Sequence, residues 1–409
     1  MVVVEMRLMA FKYRLSATKE QTALCEATAG CCRLIYNVAL EHAETAWKMS
    51  GVTVSYADQC RELAVLKREP EYVWLKDVPG HALQQAAKDY HTARSRFFKG
   101  HGRYPRRKRK GRCRDSFRLP EGNKIAFKGA GRNSRARLPK FGWVKFNQHR
   151  PLEGKVRYAT VSRDGDHWYV SFTCAVEIAE APTSLGGAAV AVDVGIAQDL
   201  TLSDGTVVEL ATVTQAERDK LARLGRELAR KTKGSKNRGK ARRRLNRFLA
   251  KLRRRRNDAI HKATHRLATS HAVVCVEDLK VKNMTASAKG TIDKHGRNVR
   301  AKAGLNRSLL ERAPHEFRRQ LSYKCEWYGS RLVTVPAAYT SQRCSRCGHA
   351  EKANRPSQAR FSCTRCNFQA NADHNAALNI LAAGTAATAC QVSPAPGDQQ
   401  QEAPPFRAA

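Results

Sequence analysis

Two groups of residues in this 409-residue chain have the types and spacing to do chemistry. The first is Cys344/Cys347 and Cys363/Cys366, two Cys-x-x-Cys pairs with fifteen residues between them. Four thiolates at that spacing form a closed tetrahedral site for one Zn²⁺, the loop between the knuckles absorbing the turn. Such a site is structural, because no coordination position is left for water. The second group is three acids at the ends of patterned runs. Asp193 follows AAVAV, Glu277 ends AVVCVE, and Asp373 lies seven residues after Cys366 at the entrance of the helix-like NAALNILAA.

Each acid has an ordinary structural explanation. Asp193 suits a strand-end turn, Glu277 a surface position beside Asp278, and Asp373 a helix N-cap. The three together suggest more, because acids are scarce here: 36 Asp and Glu stand against 75 Lys and Arg. Phosphodiester hydrolysis uses two Mg²⁺ roughly 4 Å apart, one activating water and one stabilising the leaving oxygen. Mg²⁺ prefers carboxylate oxygens and keeps several waters, so a few acids converging from separate elements suffice. Asp193, Glu277 and Asp373 are therefore the expected Mg²⁺ ligands and catalytic residues. Two strands and a packed helix would bring them to one edge of a sheet, as in an RNase H-like fold.

The formal net charge of +39 points to a polyanionic partner. It argues against an enzyme of small neutral substrates. The other nine cysteines (Cys25, Cys31, Cys32, Cys60, Cys113, Cys174, Cys275, Cys325, Cys390) are odd in number and scattered, the pattern of reduced thiols. No signal peptide is expected in MVVVEMRLMAFKYRL, and no apolar run reaches the ~18 residues of a membrane span. The expectation is a soluble intracellular protein without a membrane partner. A monomer is favoured over an oligomer.

The elements that must position these groups follow from periodicity. Residues 6–15 end in strand-like alternation, and residues 16–98 are mostly helical. Arg94–Arg118 interleaves Phe97, Phe98, Tyr104 and Phe117 with dense charge, which suits phosphate contact by Arg106, Arg107 and Arg109 together with base stacking. Short alternating runs over 125–178 read as a small antiparallel β-domain into which the helices are inserted. Residues 181–187 read as a linker. Gln215–His271 reads as two antiparallel helices. Arg226–Arg256 holds sixteen Lys or Arg and a single acid, Glu227, a face for phosphates that includes Arg243 and Arg254. Residues 283–313 read as a mobile lid, and 385–409 as a disordered Pro/Gln-rich tail.

The sequence resembles the TnpB family of transposon-encoded RNA-guided nucleases and their descendants, the compact type V CRISPR effectors. The carrying motifs are VAVDVGIAQDLTLSDG, VVCVEDLKVKNM, TSQRCSRCGH with FSCTRC, and NADHNAALNI, supported by YRLSATKEQ, GCCRLIYN and RYPRRKRKGR. The resemblance spans about residues 6–383. It implies an α+β multidomain chain: a β-barrel-like wedge domain (1–15 and 111–182) with an inserted helical recognition lobe (16–110). It also implies an RNase H-like (RuvC) α/β nuclease domain (183–340 and 367–384) with an inserted zinc ribbon (341–366). A bound guide RNA would read target double-stranded DNA by pairing, while the protein reads a short adjacent motif through residues such as Tyr56 and Gln84. Two positions depart from the family pattern. Asn367 stands where Gly is usual, and Pro314-His315 stands where many transposon-encoded members carry Trp-Gly.

The expected activity is RNA-guided, Mg²⁺-dependent DNA cleavage at a single site. The rivals are an RNA-guided repressor that does not cut, which should have lost one of the acids, and a transposase that joins strands.

Overall fold

The computed structural model describes residues 4–179, 188–291 and 294–392. The expected linker at 181–187 and the last part of the expected tail lie outside them. The chain divides into two compact units, Met1–Ala179 and Glu180–Ala409.

The first unit is a seven-stranded antiparallel sheet with three helices between its first two strands in chain order. Its elements are β1 (Val4–Ser16), α1 (Lys19–Ser50), α2 (Tyr56–Leu66), α3 (Gly80–Phe98), β2 (Ser116–Leu119), β3 (Ala126–Lys128), β4 (Arg135–Leu138), β5 (Gly142–Asn147), β6 (Lys155–Asp164) and β7 (His167–Ala179). Thr18 and Gln21 form a capping box that starts α1, and Gly51 at φ 63° ends it. Between them Cys25, Ala29, Cys32, Ile35 and Ala39 recur at helical spacing and are buried.

Strand order is β2-β6-β7-β1-β5-β4-β3. Phe127 of β3 packs on Phe172 of β7 with ring centroids 5.0 Å apart, although β1, β5 and β4 lie between those strands in the sheet. The sheet is thus strongly curled. It is not a closed barrel, since β2 and β3 are edge strands in this order. The turn joining the two edges lies against β6, so close that a Cβ on Gly122 would sit 2.1 Å from the carbonyl oxygen of Val156. The barrel-like expectation is corrected to a curled open sheet.

The second unit contains β8 (Ala189–Asp193), β9 (Leu200–Leu202), β10 (Val207–Val208), α4 (Gln215–Ala229), α5 (Lys236–Ser270), β11 (Val273–Glu277), α6 (Val281–Met284), α7 (Val299–Arg312), α8 (Pro314–Tyr328), β12 (Arg331–Val335), β13 (Arg360–Ser362), β14 (Gln369–Asn371) and α9 (Ala372–Val392). Its five-stranded sheet runs β10-β9-β8-β11-β12, with β8, β11 and β12 parallel and β9 antiparallel to both neighbours. Strand alternation divides the core. Val190, Val192, Val274 and Val276 face Ile260 and Leu267 of α5 and Phe317 and Leu321 of α8. Ala191, Cys275 and Val335 face Ile380 of α9. Helices therefore cover both faces, as a buried parallel sheet requires.

The basic helices are partly brackets. Arg218 makes a bidentate contact with Glu311 (2.8 Å twice), Arg255 binds Glu217, and Arg256 donates to the Leu310 and Glu311 carbonyls. These fasten α4, α5 and α7 together. Two expectations shift. Half of the expected lid is the helix α7, which leads through Ala313 (φ 49°) directly into α8, where Pro314 takes the N1 position that proline favours. The Ala-rich α9 continues eight residues past Gly384, where the tail was expected to begin, because Ala has the strongest helix propensity.

Gly384 sets how closely α9 packs on the sheet, since a Cβ there would lie 2.2 Å from the Cys275 Sγ. Gly384→Ala should lower stability by roughly 1–3 kcal/mol, the usual scale of overpacking. Adding Cys275→Ala should recover part of that loss, as read by thermal unfolding of the two variants.

Candidate active site and metal centre

Asp193 and Glu277 are the last residues of neighbouring parallel strands, each one step beyond the paired Val192 and Val276. Alternation turns both toward α9, the face that Ala191 and Cys275 share. Asp373 sits in the first turn of α9. The three acids line one open cleft of about 850 Å³ together with Thr340 and Arg355. Asp193 is 9% and Asp373 5% exposed. Below them the loop after β8 passes so close that a Cβ on Gly195 would lie 3.0 Å from Asp373 Oδ2 and 2.6 Å from the Gln198 carbonyl. That loop is held by Arg312, which donates to the Ile196 carbonyl and pairs with the buried Asp199 at 3.2 Å.

The cleft concentrates negative charge away from water. Burial, followed by the charges of Glu277 and Asp373, pushes Asp193 up to about 7. Burial also raises Glu277 and Asp373, opposed by the Thr340 hydroxyl at Glu277 and by the Arg355 guanidinium at Asp373. Arg355 Nη2 donates to Asp373 Oδ1 at 3.1 Å and to the Gln358 carbonyl at 2.8 Å. One guanidinium cannot neutralise three carboxylates. A set of carboxylate oxygens with room for water is the donor chemistry of a hard divalent cation.

The segment NADHNAALN assigns a separate task to each polar residue. Asn371, not Asp373, caps α9: its Oδ1 accepts from the backbone N–H of Asp373 (3.0 Å) and His374 (3.1 Å). The Asp373 carboxylate is thereby left for the cleft. His374 donates to the Ser203 carbonyl at 3.2 Å. Asn375 accepts from Ser345 N–H at 3.0 Å and donates to the Arg343 carbonyl at 2.8 Å, and Asn379 donates to the carbonyls of Thr340 and Arg343. The helix that carries Asp373 thus grips the chain leading into the first cysteine knuckle.

Cys344, Cys347, Cys363 and Cys366 converge so that their sulfurs all lie within 4.8 Å of one another. Cys344–Cys366 is 3.7 Å and Cys347–Cys363 is 3.6 Å. A thiolate tetrahedron around a ~2.3 Å metal–sulfur bond has edges of roughly 3.8 Å, so the four fit a zinc-like ion. The residue after each second cysteine is left-handed: Gly348 at φ 76° and Asn367 at φ 55°. Asn tolerates that region better than other side chains, which explains how Asn367 replaces the usual Gly. Buried Asn354 knits the ribbon, donating to the Gln342 and His349 carbonyls and accepting from Thr364.

The residues nominated for nucleic acid are spread more widely. Tyr56 opens α2 with its ring edge-on to His91 at 5.9 Å, and Gln84 is half-buried on α3. Arg106 and Arg109 are exposed after α3, and exposed Arg107 pairs with Glu41 of α1. On α5, Arg243 is exposed and Arg254 half-buried. Sequence reasoning missed Arg355, Thr340 and Asn371. For Asn371 the signal was present, a capping side chain two residues before Asp373. Arg355 and Thr340 lie in irregular chain, and only tertiary folding brings them to the acids.

Three family models match the chain: a Cas12f1-like TNB domain over residues 315–380, a probable transposase over 171–288, and a helix-turn-helix domain over 6–51. Over that last stretch the structure holds β1 and the single long helix α1. The chain is 42% identical over 384 residues to a protein of Escherichia coli (strain K12) that carries the name RNA-guided DNA endonuclease InsQ, covering 94% of each. It is 36% identical to a protein of Streptomyces pristinaespiralis named for the same activity, covering 93% of this chain and 90% of that one. A Cas12f1-sgRNA-target DNA complex has a chain that aligns at TM-score 0.49 and 14% identity, covering 92% of this chain and 98% of its own.

The division of labour in α9 can be measured. Asn371→Ala should cost about 1 kcal/mol of stability, the usual effect of losing a cap. Asp373→Ala should cost none, because it relieves repulsion in the cleft. An equal loss in both would return Asp373 to the role of a cap. Asp193 supplies a second test. It ionises near pH 4 in the unfolded chain and near 7 in the folded one. Between those values the folded state keeps a proton that the unfolded state has lost, so this contribution to stability falls as pH rises. In Mg²⁺-free buffer the stability gained by Asp193→Asn should therefore grow from pH 5 to pH 7.5.

Proposed function

The chain belongs to the TnpB family of RNA-guided DNA endonucleases, and from that premise we propose that it cuts guide-matched DNA at the cleft of Asp193, Glu277 and Asp373. The observation that carries this reading is the convergence of buried Asp193 and Asp373 and half-buried Glu277, from two strand ends and a helix start, on one open cleft of a strongly basic chain. A repressor that does not cut has no use for so much buried negative charge.

Asp193, Glu277 and Asp373 would hold two Mg²⁺, which when bound supply an activated water and stabilise the leaving oxygen. The chain's own groups do the rest. Thr340 orients the Glu277 carboxylate, and the capping of α9 by Asn371 aims Asp373 inward. Arg355 lies where a guanidinium can follow charge onto a phosphate oxygen as the bond breaks, a preorganised donor of the kind that lowers such barriers. The ribbon cysteines would hold one structural Zn²⁺, which keeps the Arg355 loop and the start of α9 in register.

The strand order β10-β9-β8-β11-β12, with β9 antiparallel, supports an RNase H-like (RuvC) reading of residues 183–340 and 367–384, with the ribbon at 341–366. The curled sheet supports a wedge at 1–15 and 111–182, and α1–α3 support a recognition lobe at 16–110. In this reading guide RNA pairs with the target, and Tyr56 and Gln84 read the adjacent motif in double-stranded DNA. Arg106, Arg107, Arg109, Arg243 and Arg254 would meet phosphates. The protein would act in the bacterial cytoplasm, on the nucleoid.

Asp193→Ala should abolish cleavage of a guide-matched target while guide and target binding persist in gel-shift assays. Undiminished cutting by that variant would sink the assignment. Arg355→Ala should slow cutting by about 10²–10³-fold, the scale of one lost transition-state donor, with target affinity unchanged.

A further inference from the structure

A second cavity, of about 260 Å³, opens beside the acidic cleft. The two share Val194, Glu277, Leu279 and Lys280, so they are neighbours across the end of β11. The cleft lies on the α9 side of the sheet. This cavity lies on the other side, between the ends of β8 and β11 and the start of α8, where Val192, Val276 and Phe317 face. Its walls are apolar: Val192, Val194, Leu279, Val281 and Phe317. Its lip is cationic, with exposed Lys280 and Lys282 beside His315. Asp278 at the cleft is paired with Arg318, which removes one anion from the neighbourhood.

An apolar slot with a cationic lip suits a flat ring attached to a phosphate. The volume falls below the roughly 300–1,000 Å³ of pockets for drug-sized ligands, which favours one ring system over a peptide or an acyl chain. We propose that this cavity is a nucleobase subsite, taking one unstacked base of the DNA strand whose phosphate lies at Asp193, Glu277 and Asp373. The proposal rests on the nuclease reading above. A strand entering the cut site turns one base out of its stack into the slot, and the lysines hold the phosphate beside it. The distance from slot to acids then sets which phosphate is cut.

The test uses the full chain loaded with its guide RNA. Targets carry a single abasic deoxyribose stepped through the cut region of the displaced strand, where losing a base does not disturb guide pairing. Wild-type cutting should slow about tenfold at one position and not at its neighbours, the scale of one lost stacking contact. Val281→Trp, which fills the slot, should cut intact DNA about tenfold more slowly and show no further loss at that position. His315→Trp, at the exposed lip, repeats the test should the first variant fold poorly. Overturning results are wild-type cutting that is indifferent to the abasic position, or both variants keeping the full abasic effect. If Asp193→Ala still abolishes cutting in that case, the nuclease reading stands and only the subsite falls.

Discussion

Repulsion among three carboxylates, two of them buried and one half-buried, is what the second unit has to withstand. Asp193 and Glu277 end neighbouring parallel strands, and the strand spacing of ~4.8 Å leaves them no means of separating. Asp373 is brought over them by a helix that cannot move off without exposing Ile380 and its neighbours. Burial raises all three carboxyls, and Asp193 reaches about 7. A fold that sustains this charge and pairs one of the three acids, Asp373, with Arg355 is arranged to receive further positive charge from outside.

The cysteine ribbon matters through what it fixes. It lies in the chain between β12 and α9, so its rigidity determines where α9 begins. Asn375 and Asn379 carry that rigidity from the first knuckle to the helix, and the loop between the knuckles delivers Arg355 to Asp373. Thiolate site and acidic cleft are therefore mechanically one device, although their donor chemistries differ.

Charge elsewhere serves two purposes that a count cannot separate. Arg218, Arg255, Arg256 and Arg312 are spent on Glu217, Glu311, Asp199 and backbone carbonyls, joining helices whose own apolar stripes are thin. Arg243 remains exposed. The high positive charge is therefore in part scaffolding. The curled sheet of the first unit shows a related economy: its edges meet through a glycine turn packed on β6 instead of a hydrogen-bonded seam.

Much of this was legible in the residues alone. Short continuous apolar runs located the strands ending at Asp193 and Glu277, and leucines at helical spacing located α4 and α5, because both patterns are local consequences of backbone geometry. The cysteine spacing was readable for the same reason, since a knuckle is a short turn. Other features depended on residues far apart in sequence meeting in space. Only the register of β8 with β11 set the two acids side by side, and only packing brought Thr340 and Arg355 to them. The capping role of Asn371, which frees Asp373, needed the hydrogen bonds themselves. Whether the β-domain closes also escaped the sequence, because closure depends on how two short edge strands approach after the whole sheet has curled. The sequence by itself determined which groups could do chemistry and on which elements they ride. The tertiary structure decided which of them share one cleft, because burial and mutual repulsion arise only when distant segments pack together.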